Sequence, residues 1–324
     1  MAELDRERYR LLVKISRLYY EEGLHQQEIA GRLGISRPHV SRMLTAAKQE
    51  GIVQVTIRNP FSAEQELEQE LIRTFGIHDA MIVDVQGEDE QLRLEQLGRT
   101  AAVLLESVLK DNDIVGVMAG RTVAAMAQGT DYVARSGLQF VPLVGGWGSA
   151  GADWHAGSNA MALADRLKAK YWLLYAPAVV ANEETGNLLR SEPEIDKVLR
   201  LARRCGVAIV GIGEVSGQAT IVRSGQIAEG DLEMLRKQGA VANVCASFLN
   251  EQGEEIDFPG RARFIGLTAR ELRAIPNVIG IAGGRDKVRP ILAALRGKWI
   301  DILVTDAATA RCVLELHRSG GCAD

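Results

Sequence analysis

Apolar positions along the first fifty residues recur at helical spacing. Leu11, Leu12, Ile15, Leu18 and Tyr19 fall on one stripe, which predicts an amphipathic helix ending near Gly23. A second, shorter helix is predicted from Gln26 to Leu33. Gly34 then supplies the positive φ of a tight turn, and Ile35 is placed to plug the angle between helices. Ser36 suits an N-cap, and Pro38 falls in the first turn, where its missing N–H costs nothing. A third helix follows from Arg37 to Gln49 and stops at Gly51. Beyond it "IVQVTI" alternates apolar and polar residues, the pattern of a short strand.

The stretch "NPFSAEQELEQELIRTFG", residues 59–76, opens on an Asn-Pro turn signal and continues as a helix. Leu67, Leu71, Ile72 and Phe75 share one side of it. It reads as a connector between a head of residues 1–58 and a body of residues 77–324, and as a candidate dimer contact. From residue 79 onward the period changes. Apolar runs at 80–85, 113–118, 138–144, 171–177, 207–213, 277–284 and 300–306 alternate with helical patterns such as "EQLGRTAAVLLESVL", "NAMALADRLKA" and "VRPILAALRG". Most of these runs are continuously apolar, as strands buried on both faces must be. The expected fold class is α/β: an N-terminal winged helix-turn-helix followed by a doubly wound, mainly parallel α/β domain.

Composition narrows the picture. The chain has 324 residues, enough for two or three domains, and no apolar run long enough to span a bilayer. Its charged start, "MAELDRERYR", has no signal-peptide core, so a soluble cytoplasmic protein is expected. Four cysteines (205, 245, 312, 322) and five histidines (25, 39, 78, 155, 317) are scattered, so neither a metal site nor a cofactor is expected. The formal net charge is −4, but residues 1–60 carry ten Lys/Arg against seven Asp/Glu. A basic head on an acidic body directs attention to nucleic acid.

Spacing in the head is more informative than charge. With Gln26 counted first, Ala30, Gly34, Val40 and Met43 occupy the places where a helix-turn-helix needs a small residue, a turn glycine and two core contacts. The face left outside carries Ser36, Arg37, His39, Ser41 and Arg42. Donors at the start of such a helix can reach base edges and phosphates. The candidate DNA contacts are these five with Gln26 and Gln27 at the start of the preceding helix. His25 departs from the pattern, since a Ser or Thr cap is more usual there.

In a doubly wound sheet, ligands bind beyond the carboxyl ends of the strands. Glycine recurs at those ends: "AGRT" (119–122), "GGWGSAG" (145–151), "GIGEVSG" (211–217) and "AGGRDK" (282–287). The first and last add cations to backbone N–H groups, a combination that suits phosphate. Glycine turns and surface lysines are also ordinary features of any such fold. Their recurrence at one sheet edge favours an anionic small-molecule site. No Gly-x-x-x-x-Gly-Lys-Ser/Thr occurs, and the formal Gly-x-Gly-x-x-Gly at 146–151 lacks the helix and the acid of a dinucleotide site.

Taken together, "LYYEEGLHQQEIAGRLGISRPHVSRMLTAAKQEGIV", "VGVMAGRT", "PLVGGWGS", "LYAPAVV", "VAIVGIG", "VIGIAGGRDKVRPILAALRG" and "IDILVTDAATA" resemble the SorC family of bacterial transcriptional regulators, the DeoR-like sugar-binding-domain repressors. The resemblance spans nearly the whole chain. It implies a homotetramer that binds operator DNA, with an effector domain related to sugar-phosphate isomerases and a phosphorylated sugar or polyol as effector. Matched motif to motif, Gly120, Arg121, Thr122 and Lys287 would hold the phosphate, and Gly145, Gly146, Ser149 and Asn159 would line the sugar. Arg223, in "ATIVRSG", would be a further contact. The chain departs from the family in "KQGAVANV", where Asn243 stands for an expected acid. "SAGADWHAGSNA" looks longer than usual, so Trp154 and His155 could reshape the pocket. Val144 occupies the place of a lysine that forms a Schiff base in some relatives, so binding is expected to be noncovalent.

Two other readings stand beside this one. A sugar-phosphate isomerase or deaminase fused to a DNA-binding head needs a carboxylate base and usually a His or Lys near the open-chain carbonyl. The deaminases that the body distantly resembles carry "GIGxDGH"; here "GIGEVSG" keeps the glycines and leaves Glu214 as the only acid. An architectural DNA binder would use the body only to oligomerise and would have no need of cationic glycine loops.

Overall fold

Three helices with one small core account for the head. In the computed structural model they are α1 (Glu3–Tyr20), α2 (Gln26–Leu33) and α3 (Arg37–Gln49). The structure describes residues 3–53, 62–85, 87, 89–147, 154–216, 227 and 229–320. It falls into two units, residues 1–60 and 61–324. Ile15, Leu18, Ile29, Ala30, Val40 and Leu44 form the core of the first, with Ile35 and Met43 packed against it. Gly34 takes φ +64°, the left-handed turn expected of it, and its N–H donates to the Ala30 carbonyl. The strand expected over "IVQVTI" lies mostly outside the described residues.

The second unit begins with α4 (Ser62–Phe75), β1 (Asp79–Val83), α5 (Glu90–Val108), β2 (Ile114–Val117), α6 (Arg121–Gly129) and β3 (Gln139–Pro142). It continues with α7 (Ala156–Leu167), β4 (Lys170–Tyr171), α8 (Glu183–Ser191), α9 (Pro193–Ala202) and β5 (Val207–Glu214). Next come α10 (Glu229–Lys237), the short strands β6 (Ala242–Val244) and β7 (Ser247–Leu249), and α11 (Ala269–Leu272). The chain then forms β8 (Asn277–Ile281), a 3₁₀ turn at Arg285–Lys287, α12 (Val288–Arg296), β9 (Ile302–Asp306) and α13 (Ala307–Arg318).

The strands are ordered β1-β9-β8-β5-β2-β3-β4, and every neighbouring pair along that path is parallel. Successive side chains of a strand point to opposite faces, so each continuous apolar run feeds two layers. Val207 and Ile209 of β5 join Leu97, Leu105, Val123, Met126 and Leu163 from α5, α6 and α7. Ala208 and Val210 join Leu71, Leu199, Ile291 and Val313 from α4, α9, α12 and α13. The doubly wound α/β expectation is met on both faces.

Two features differ from the sequence reading. Of the run at 171–177 only Tyr171 is in a strand, the two-residue β4 at the sheet edge. The chain then turns away to form isolated bridges, Gly146 with Pro177 and Val179 with Phe264. The other is a hairpin that was not anticipated. β5 outruns its neighbours: Val207–Gly211 pair in parallel with β8, and Ile212–Glu214 pair antiparallel with β6, which turns into β7. Helix α4 belongs to the second unit: Leu71 is fully buried, and the Glu68 carboxylate accepts from the Ile82 N–H at 2.9 Å. Among the described residues no helix is long and apolar enough to cross a membrane.

Candidate functional site

The first candidate surface is α3. Ser36 caps it, its hydroxyl accepting from the His39 N–H at 3.3 Å, and Pro38 sits in the first turn. Val40, Leu44 and Ala47 are buried, which turns Ser36, Arg37, Ser41 and Arg42 outward, with His39 half-buried. Gln27 is exposed and Gln26 half-buried at the start of α2. The unusual His25 is accommodated from the other side: the Glu28 carboxylate accepts from its backbone N–H at 2.7 Å. Arg8, Arg17 and Arg32 are each paired with a carboxylate, to Glu50, Glu21 and Glu22. Arg37 and Arg42 have no ion-pair partner among the described residues. Two exposed, unspent guanidinium groups on a capped helix of a helix-turn-helix can take phosphate oxygens or guanine edges.

The second is a cavity of about 170 Å³ at the carboxyl ends of β2, β5 and β8. Met118, Ala119 and Gly120 follow β2 into the start of α6. Gly211–Glu214 end β5, and Ile281–Gly283 end β8. Gly120 takes φ +139°, and no side chain caps α6, so its first-turn N–H groups are open to an anion. Trp147 and Trp154 give flat apolar walls of the kind that stack on the C–H faces of a sugar ring.

Gly120, Arg121, Thr122, Asn243 and Lys287 all line this cavity. Gly145, Gly146 and Asn159 do not. Gly145 is buried, and a Cβ there would fall 2.4 Å from the Ala176 carbonyl oxygen; Gly146 donates its N–H to that same oxygen. Asn159 is 1% exposed, and its amide donates to the carbonyls of Met118 at 3.1 Å and Trp154 at 3.2 Å. These three brace the loops behind the cavity; they do not face into it. Ser149 and Arg223 lie outside the described residues.

Sequence reasoning overlooked the first turns of α5. Glu90, Arg93, Leu94 and Leu97 all reach the cavity, at helical spacing i, i+3, i+4 and i+7. In the sequence that stripe looks like any amphipathic helix face. Cys245, in the turn between β6 and β7, was also missed.

Charges in the cavity are partly spent. Arg121 donates to Glu90 at 2.7 Å, both side chains being exposed. Glu214 accepts from the Ser216 hydroxyl at 2.8 Å. Asn243 donates its amide hydrogens to the carbonyls of Cys245 and Ser247, at 3.3 and 3.0 Å. Two carbonyl partners fix the amide's orientation and leave Oδ1 as its remaining polar atom. Lys287 is half-buried with no ion-pair partner among the described residues. Burial pushes the Cys245 thiol up to about 12, so it stays protonated at neutral pH. Among the described residues no three His, Cys, Asp or Glu side chains cluster as metal ligands.

Both units of the chain are similar to known proteins. Residues 59–315 match the sugar-binding domain family, and residues 10–62 match the Crp-like helix-turn-helix domain. The chain is 30% identical to the deoxyribonucleoside regulator of Bacillus subtilis (strain 168) over 96% of its own length and 99% of that protein's. It is 32% identical to the transcriptional regulator LsrR of Enterobacter sp. (strain 638), covering 94% of this chain and 93% of that one. The crystal structure of the full-length sorbitol operon regulator SorC from Klebsiella pneumoniae superposes with a TM-score of 0.73 at 30% identity, covering 94% of this chain and 98% of that one.

Proposed function

The chain belongs to the SorC/DeoR-like family of bacterial sugar-binding-domain transcriptional regulators, and from that premise we propose that it controls a carbohydrate or polyol catabolic operon. Its effector is a phosphorylated sugar or polyol, held noncovalently in the cavity of the second unit. The observation that carries this reading is the uncapped N-terminus of α6 opening onto a cavity that also holds Lys287 and two tryptophans. A helix N-terminus with a free cation takes a phosphate, and flat apolar walls with Asn243 Oδ1 and Glu214 take a hydroxylated carbon chain.

The regulator reading also has the support of names: the relatives above are named as regulators. Arg37, His39 and Arg42, with Gln26, Gln27, Ser36 and Ser41 beside them, are the groups that meet operator DNA. Effector binding shifts the population between two states of different operator affinity, a coupling of about 1–3 kcal/mol in systems of this kind. Assembly is homotetrameric, so that paired heads engage paired half-sites.

The test is a thermal-shift screen of the full chain against matched sugars and polyols, each with and without phosphate. At about 100 times its dissociation constant a ligand adds about 2.7 kcal/mol to stability, a readily visible shift. A response confined to phosphorylated compounds, with Arg42→Ala losing operator binding and retaining that response, supports the reading. A response confined to unphosphorylated compounds rejects the phosphate assignment.

A further inference from the structure

Arg93 has the most conspicuous unused hydrogen-bonding capacity in the second unit. Its side chain is only 20% exposed, it lines the cavity, and it makes no side-chain hydrogen bond among the described residues. Nε is buried without a hydrogen bond, and it forms an ion pair with Asp306 Oδ2 at 3.7 Å, too long for a hydrogen bond. Asp306 has no need of it. Oδ2 already accepts from the Gly284 N–H at 3.0 Å and the Thr309 hydroxyl at 2.7 Å, and Oδ1 accepts from the Thr309 N–H at 2.8 Å. A guanidinium carries five N–H donors in a fixed fork, and burying such donors without acceptors is unfavourable. The backbone nevertheless makes room for it, since Cβ atoms on Gly283 and Gly284 would fall 3.4 Å from Arg93 Cδ and 3.3 Å from Arg93 Nη1.

We propose that Arg93 is the forked anchor for the effector's anionic group, acting with Lys287, and that Arg121 is not. This rests on the phosphorylated-effector reading and names the residue that carries it. Arg93 and Lys287 both face the cavity with no hydrogen-bonded carboxylate, whereas Arg121 is already engaged by Glu90. Phosphate oxygens accept from two N–H groups of the fork at once, and Lys287 adds a point charge. Asp306, buried behind Arg93, holds the charge balance while the cavity is empty of anion.

The experiment titrates the full-length chain with inorganic phosphate, and with any phosphorylated sugar that shifts the wild-type melting temperature. Arg93→Gln, Arg93→Lys and Arg121→Gln are compared with wild type. Arg93→Lys keeps a cation opposite Asp306, so its unliganded melting temperature and circular dichroism separate folding from binding. Both Arg93 variants are expected to need about tenfold more anion or higher for half-saturation, because lysine cannot supply the fork, while Arg121→Gln stays within about threefold. Arg93 variants that titrate like wild type, or Arg121→Gln losing as much as they do, overturn the assignment and leave the phosphorylated-effector reading intact. A wild-type chain that responds to neither inorganic phosphate nor any phosphorylated sugar removes that reading, and the Arg93 proposal with it.

Discussion

Gly283 shows how narrow the tolerance is at the cavity. A Cβ there would fall 2.4 Å from Asp306 Oδ2 and 2.8 Å from Leu97 Cδ1, and the Asp306 carboxylate is locked by its hydrogen bonds. Gly283→Ala is therefore expected to destabilise the second unit by about 1–3 kcal/mol, read as a lower urea midpoint at unchanged slope. Cys245 makes a different point. With its thiol pushed up to about 12, it holds about a thousandfold less thiolate at pH 8 than an ordinary cysteine. Iodoacetamide followed by mass spectrometry should label exposed Cys312 readily and reach Cys245 only after unfolding. Labelling of Cys245 at the rate of Cys312 in the native chain would show that the cavity wall opens.

At the scale of elements, α11 has only four residues and depends on its ends. The Thr268 hydroxyl accepts from the Glu271 N–H, and the Glu271 carboxylate accepts from the Thr268 N–H at 2.8 Å and from Arg203. Burial alone would raise the Glu271 carboxyl, but these hydrogen bonds outweigh it and hold it below the ordinary carboxylate value. The folded form thus binds its proton less readily than the unfolded chain. The stabilisation is complete above the unfolded value and disappears as pH falls through the folded one. Glu271→Gln should flatten the acid limb of a stability-against-pH curve and leave its neutral plateau lower; an acid limb matching wild type would count against this account. The central strands and most helices were legible because buried strands and amphipathic helices leave long, periodic signals. β6 and β7 were not, since three residues such as Ala242–Val244 carry no period. In the site, Gly120 and Lys287 could be read from strand-to-helix turns. Gly145 and Gly146 follow β3 and Asn159 lies within α7, and packing uses their backbone or amide groups, a choice that only tertiary contacts reveal. Arg93 was hidden inside an ordinary helical stripe.

For the molecule as a whole, the two units have separate hydrophobic cores, one around Ile15 and Val40 and the others on the two faces of the sheet. Scanning calorimetry of the full chain should therefore resolve two transitions. An effector at saturating concentration should raise only the transition of the second unit, because mass action stabilises the unit that holds the site. One transition that moves as a block would mean that the two cores unfold as a single cooperative body. The extension of β5 past its neighbours has a consequence of its own. The wall bearing Asn243 and Cys245 is stitched through Ile212–Glu214 to a strand at the centre of the sheet. Amide protons of the β5–β6 ladder are therefore expected to exchange slowly whether or not a ligand is present, as native-state hydrogen exchange would show. What a ligand slows should instead be exchange at the first turns of α5 and α6, where Glu90 meets Arg121 across the entrance: the cavity has a fixed back and a front that binding finishes.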